Sequence, residues 1–201
     1  MASQAIEKEL VAGDILLRDG TLESSITGES AYSKKAFDAA GAKGAALCAL
    51  AKTSALLTTT GFPLAYAVDS IAEQKKVSAP WLYHPLCENK NPEHPAKIFV
   101  VKLHKNSSRA FRFEMDKNFA QIEGNASAAL SQISANSCDA AFIGYPYGLI
   151  DADAMSRISF REAENYRAML SSVLEKKGAL ASIKKLSAAI DAHDVLNEII
   201  I

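Results

Sequence analysis

Two β-rich runs, KIFVVKLH at 97–104 and AFRFEMD at 110–116, bracket the polar segment KNSS and together predict an antiparallel hairpin. Phe111, Phe113 and Met115 alternate with Arg112 and Glu114, so a strand built from them has one apolar and one polar face. Other strands read as buried runs. Ile15 to Leu17 ends at Asp19-Gly20, AALCALA at 45–51 is closed by Lys52, and AAFIG at 140–144 reads as a third central strand. Between them lie helical patterns: ESAYSKKAFDAAGAKG with Gly44 as its stop, PLAYAVDSIAEQKK, and NFAQIEGNASAALSQIS. Ser159 and Glu162 form a capping box for a helix on which Ala163, Tyr166, Leu170, Val173 and Leu174 share a face and which stops at Gly178. ALASIKKLSAAI and DAHDVLNEII read as two more helices, and VSAPWLYHPLCENKNPEHPAK, with four prolines, as an irregular loop. Strands mixed with helices plus one hairpin give an α/β fold with an antiparallel component.

No linker or repeat divides the 201 residues, which are enough for one sizeable core, so residues 1–201 are expected to form a single domain. No run approaches the roughly 20 apolar residues of a membrane span, and MASQAIEKELVAGD lacks the basic and apolar regions of a secretory leader. The expectation is a soluble cytoplasmic protein without membrane contact. Cys48, Cys87 and Cys138 are odd in number and far apart, which suits buried small hydrophobes better than disulfides or a zinc knuckle. A net charge of −1 does not advertise nucleic-acid binding, although metal-binding carboxylates in a nuclease cancel basic residues elsewhere.

Several chemistries are excluded by what the chain lacks. It has no G-x-S-x-G elbow, P-loop, G-x-G-x-x-G or H-E-x-x-H, and His84, His94, His104 and His193 have no ligand spacing and read as surface or locally hydrogen-bonded residues. The phrase DGTLESS is similar to the first motif of haloacid-dehalogenase phosphatases. Their nucleophilic aspartate is replaced by Leu17, which cannot form an aspartyl-phosphate.

The stretch FIGYPYGLIDADAMSRIS, 142–159, places two tyrosines and two aspartates after an apolar run. In open α/β sheets ligands gather at strand ends, so Asp19 and Asp153 converge there if the two strands that precede them are parallel neighbours. Two carboxylates about 4 Å apart repel by roughly 4 kcal/mol at an effective dielectric near 20, and a divalent cation or a shared proton relieves this. Oxygen ligands suit Mg²⁺ or Mn²⁺ and metal-assisted phosphodiester hydrolysis. Tyr145 or Tyr147 can offer a phenol to a phosphate, a stacking face, or merely an aromatic core residue with its hydroxyl at the surface. The basic residues Lys97, Lys102, Lys105, Arg109 and Arg112 can follow a phosphate backbone or protect an exposed sheet edge.

LLRDGTLES, the LAKTS segment around Lys52, VVKLH, FRF and, above all, the Gly-Tyr-Pro-Tyr phrase together resemble the NurA nucleases of archaea and some bacteria, from about residue 14 to the C-terminus. The resemblance implies a ribonuclease H-like mixed sheet flanked by helices. It also implies manganese-dependent cleavage of single-stranded DNA, 5′ to 3′ resection of duplex ends, homodimerisation and partnership with a HerA-type helicase-translocase. By position, Asp19 matches the family's Asp-Gly metal ligand and Tyr145 its active-site tyrosine. Asp153 stands where the family is expected to have a catalytic histidine. The family's preceding Asp-Gly-Ser strand and metal-ligating glutamate have no counterpart. The candidate set is therefore Asp19 and Asp153 on metal, Tyr145 on phosphate or water, and Lys52, Lys102 and Arg112 on the DNA strand. The alternative is a non-catalytic or split subunit that dimerises or docks HerA.

Overall fold

Two of the three short apolar runs read as strands form them in a computed structural model of the chain, which describes residues 2–23, 29–86, 94–179, 181 and 185. The first helix, α1 (Ala2–Glu9), precedes strand β1 (Ile15–Asp19). Helix α2 (Glu29–Lys43) is followed by β2 (Ala46–Ala51), with Gly44 in the left-handed region (φ 67°) as the expected stop. Then come α3 (Leu64–Gln74), β3 (Trp81–Tyr83), β4 (Ala96–Lys102) and β5 (Phe111–Asp116). Helices α4 (Lys117–Ala120), α5 (Asn125–Ala135), α6 (Tyr147–Ser156) and α7 (Phe160–Lys176) complete the described elements.

The fold is mixed α/β: five strands in the order β1-β2-β5-β4-β3, with helices against the sheet. Strands β1 and β2 are parallel, and all other pairs are antiparallel. The expected hairpin is β4–β5, registering Phe99 against Phe113 and Val101 against Phe111. This sheet is compatible with a ribonuclease H-like arrangement.

Every residue of β2 is buried, because helices cover both sheet faces. On one face Cys48, Leu50, Phe99, Phe113 and Met115 pack with Ala129 and Ile133 of α5 and with Leu149 of α6. On the other, Leu47, Ala49 and Ala96 meet Ile6 of α1 and Ala36, Ala39 and Ala40 of α2. Alanine dominates the α2 contact. Cys48 is a buried free thiol, as expected, and burial pushes its pKa up. Cys138 is exposed, contrary to that expectation, and Cys87 lies outside the described residues.

Three expected elements differ. AAFIG is not a strand: residues 140–144 form turns, with the Gly144 amide donating to the Ser137 carbonyl at 2.8 Å and the Tyr145 amide to the Phe142 carbonyl at 3.0 Å. A short apolar run does not by itself distinguish strand from packed turn; here Phe142 is spent stacking on Tyr145. The stretch at 118–134 is two helices, not one, because Gly124 takes φ 84° at the N-cap of α5. Within the proline-rich segment, Trp81–Tyr83 pairs with the open edge of β4, its prolines flanking the strand where an edge tolerates them. The two C-terminal helical readings fall almost entirely outside the described residues, as does His193.

The chain divides into two units, Met1–Ala154 and Met155–Ile201. In the second, the Ser159 hydroxyl accepts from the Glu162 amide at 3.2 Å while Glu162 accepts from the Ser159 amide at 2.9 Å, so α7 starts at the expected capping box. Gly178 follows its end with φ 69°. Tyr166, Leu170 and Val173 are exposed on this helix. Among the described residues no helix is long and apolar enough to cross a membrane.

Candidate functional site

Period-2 alternation along two parallel strands builds the site. In β1, Leu17 and Asp19 share a face; in β2, Cys48 and Leu50 share it, and the next position of that register is Lys52. Pairing Asp19 with Leu50 brings both strand ends to one rim. The Gly20 amide then donates to the Leu50 carbonyl at 3.0 Å, and the Leu22 amide to Glu114 Oε2 at 2.7 Å, so the chain beyond Asp19 is tied back to the sheet twice.

Tyr145 arrives from the opposite end of the sequence. Its ring is fully buried, stacked on Phe142 at 5.0 Å and edge-on to Phe111 at 5.5 Å. Its hydroxyl donates to Asp19 Oδ1 at 3.1 Å. Burial, followed by the charge of Asp19 and the hydrogen bond to it, pushes the Tyr145 pKa up, which keeps the phenol a proton donor. The ring is a core residue, and its hydroxyl is not at the surface but committed to the Asp19 carboxylate. Tyr147, the other phenol of the motif, is exposed.

Helix α6 carries Asp153 to the same place. Lys52 Nζ lies 3.0 Å from Asp19 Oδ2 and 3.0 Å from Asp153 Oδ1, and 5.7 Å from the Tyr145 ring centroid. Hydrogen bonds to Asp153 and Asp19 raise the Lys52 pKa. One ammonium therefore performs the neutralisation that two adjacent carboxylates require. Asp151, about 200° around α6 from Asp153, is exposed. Among the described residues no three His, Cys, Asp or Glu side chains come together as a metal cage. Two carboxylates do suit a hard divalent cation that keeps water and takes phosphate oxygens as its remaining ligands.

The other predicted contacts lie elsewhere. Lys102 does not present its charge to solvent: Nζ is buried on the opposite sheet face, 2.8 and 3.0 Å from the two Asp69 oxygens and 3.2 Å from Glu73. Burial opposes its charge, but the hydrogen bonds to Asp69 and Glu73 outweigh it and raise the pKa. Arg112 is largely buried, with Nη2 against Glu114 Oε1. The run from Lys97 to Phe113 has no acidic residue of its own, yet α3 and the next residues of β5 supply the counter-charges. The basic surface read from that run is thus partly interior. The histidines are locally bonded as expected: His84 Nδ1 to the Ile98 carbonyl at 3.0 Å, His94 Nδ1 to that of Ala96 at 3.0 Å, and His104 Nδ1 accepting from the Asn106 amide at 3.1 Å.

Two residues escaped the reading of the sequence. Glu114 is completely buried on the central strand β5. Gly144 has φ 86°, and a Cβ there would collide with the Ser107 side chain. A left-handed position with no room for a Cβ, directly before Tyr145, was signalled only by the glycine itself. Gly144→Ala is expected to cost roughly 2–4 kcal/mol, combining left-handed strain with overpacking. Thermal or urea unfolding checks this, and a change within 0.5 kcal/mol would contradict it.

Comparison with protein-family models, curated proteins and solved structures finds no match.

Proposed function

We propose that this chain is a NurA-like nuclease unit that hydrolyses DNA phosphodiesters with Mn²⁺ or Mg²⁺ in the processing of broken ends. The observation that carries this reading is the meeting of Asp19, from the first strand, with Asp153, from α6, around a single positive charge beside the Tyr145 hydroxyl. A place that holds two carboxylates about one ammonium is already arranged for a cation. Asp19 and Asp153 would hold the metal, which supplies Lewis-acid polarisation and a more acidic bound water. Tyr145 fixes the Asp19 carboxylate and keeps its proton. Lys52 would leave the carboxylates for a phosphate oxygen when the metal arrives, because a divalent ion competes for the same oxygens. The cytoplasm, a second copy of the chain and a HerA-type translocase belong to the same proposal.

A non-catalytic or split subunit, used for dimerisation or for docking HerA, is the second reading. What favours it is the absence of a third carboxylate or imidazole at the cluster among the described residues. Labelled single-stranded and duplex DNA, incubated with the purified chain in Mn²⁺, Mg²⁺ or EDTA, separates the two. Metal-dependent cleavage supports the enzyme, whereas inactivity in every metal with retained HerA binding supports the module.

Lys52→Met tests the competition directly. Exposed ion pairs are worth about 0–1 kcal/mol each, so relieving two should tighten Mn²⁺ binding on the order of 3- to 10-fold. DNA affinity in EDTA should fall in the same variant. Calorimetry showing unchanged or weaker Mn²⁺ binding would remove Lys52 from this role.

A further inference from the structure

Lys52 also borders a cavity of about 230 Å³ whose wall includes Arg109, Arg112, Ser54, Ser108 and the first turn of α3. That is below the roughly 300 Å³ at which pockets for drug-sized ligands begin, so the space suits a compact group. Its lining is cationic. Among the described residues of the lining Asp69 is the one carboxylate, and both its oxygens are taken by Lys102. Arg112 sets Nη2 against Glu114 Oε1, and among the described residues its Nε and that same Oε1 are both buried without a hydrogen-bond partner. A guanidinium has five N–H donors, so Arg112 keeps donors for an arriving oxyanion beside its contact with Glu114. Arg109 is exposed at the same cavity. Leu64, Ala65 and Tyr66 of the first turn of α3 line the cavity, and the Leu64 amide already donates to the Leu56 carbonyl at 2.9 Å.

We propose that this cavity is a phosphate-monoester site that takes the terminal phosphate of a DNA strand and so anchors a strand end beside Asp19 and Asp153. The inference rests on the nuclease reading for the identity of the strand; the oxyanion site itself rests on Arg109 and Arg112, with Lys52 at its border. Charge selects the terminal group. A phosphate monoester carries about −1.5 to −2 at neutral pH and three free oxygens, whereas an internal phosphodiester carries one charge and must leave the cavity on two sides.

The test is binding in EDTA, where no metal-dependent cleavage occurs. Anisotropy is read on internally labelled single-stranded oligonucleotides bearing a 5′-phosphate, a 3′-phosphate or hydroxyls at both ends. One phosphorylated end should bind about 5- to 20-fold tighter than the hydroxyl strand, as expected of one or two charge-assisted hydrogen bonds. Millimolar inorganic phosphate should erase the difference. Arg109→Glu, at an exposed loop position, should abolish the preference, and Arg112→Lys should reduce it. Equal affinity for all three strands, a preference that survives Arg109→Glu, or no oligonucleotide binding overturns the site, as does competition by free phosphate without any end preference. Failure of the nuclease reading is distinct: an end preference without cleavage in any metal keeps the site and removes the enzyme, whereas cleavage without an end preference does the reverse.

Discussion

Asp19→Asn should lower metal-dependent DNA cleavage on the order of 10³-fold, because the stabilisation a catalytic cation gives is several kcal/mol and each 1.36 kcal/mol is a factor of ten. The amide keeps an oxygen to accept from Tyr145, so the change removes charge more than shape. Asp19 is partly exposed, with 45% of its side chain accessible, and the fold does not depend on burying it. Unfolding midpoints of the variant and the parent should therefore agree within about 0.5 kcal/mol, the scatter of substitutions at such positions. Asp151→Asn, two residues from Asp153 on another side of α6, is the matched control and should cleave at the parental rate. Parental activity in Asp19→Asn would end the nuclease proposal, and loss of activity in Asp151→Asn would relocate the site.

The parts of this site that were legible are those where a local pattern decides the outcome. Alternation in AFRFEMD and the closed apolar run AALCALA fixed two strands and, through the parallel pairing of β1 with β2, the shared rim of Asp19 and Lys52. Asp153 joined them by a different route from the expected one. AAFIG was to be a strand delivering the motif to a strand end; instead, turns and α6 deliver it, and Tyr145 reaches Asp19 from within an aromatic stack. The convergence depended on side chains rather than on strand order. Lys102 and Arg112 were not legible, because the sign of a residue's charge does not tell which sheet face a distant helix will cover. Asp69, on α3, decides the place of Lys102, and Glu114, two residues away, that of Arg112.

Glu114→Ala should destabilise the protein by roughly 3–5 kcal/mol, the cost of leaving one partner of a buried ion pair behind. Three losses coincide there. Arg112 Nη2 loses its counter-charge, the Leu22 amide loses its 2.7 Å acceptor, and a void opens on the most enclosed strand pair of the sheet. Glu114→Gln separates them: it keeps the volume and an oxygen for Leu22 but not the charge, and should cost less than the alanine, measured by urea unfolding. The activity readout is separate from stability. Leu22 lies three residues after Asp19, and its bond to Glu114 is one of the two ties that set the chain beyond that carboxylate. At a temperature where Glu114→Gln is folded, cleavage should thus remain within a few-fold of the parent, because the tie is kept; Glu114→Ala, folded with added salt or at low temperature, should lose Mn²⁺ affinity as Asp19 wanders from Asp153. Equal Mn²⁺ affinity in folded Glu114→Ala would show that strand pairing and the Gly20 amide alone hold Asp19, and would confine Glu114 to balancing the charge of Arg112.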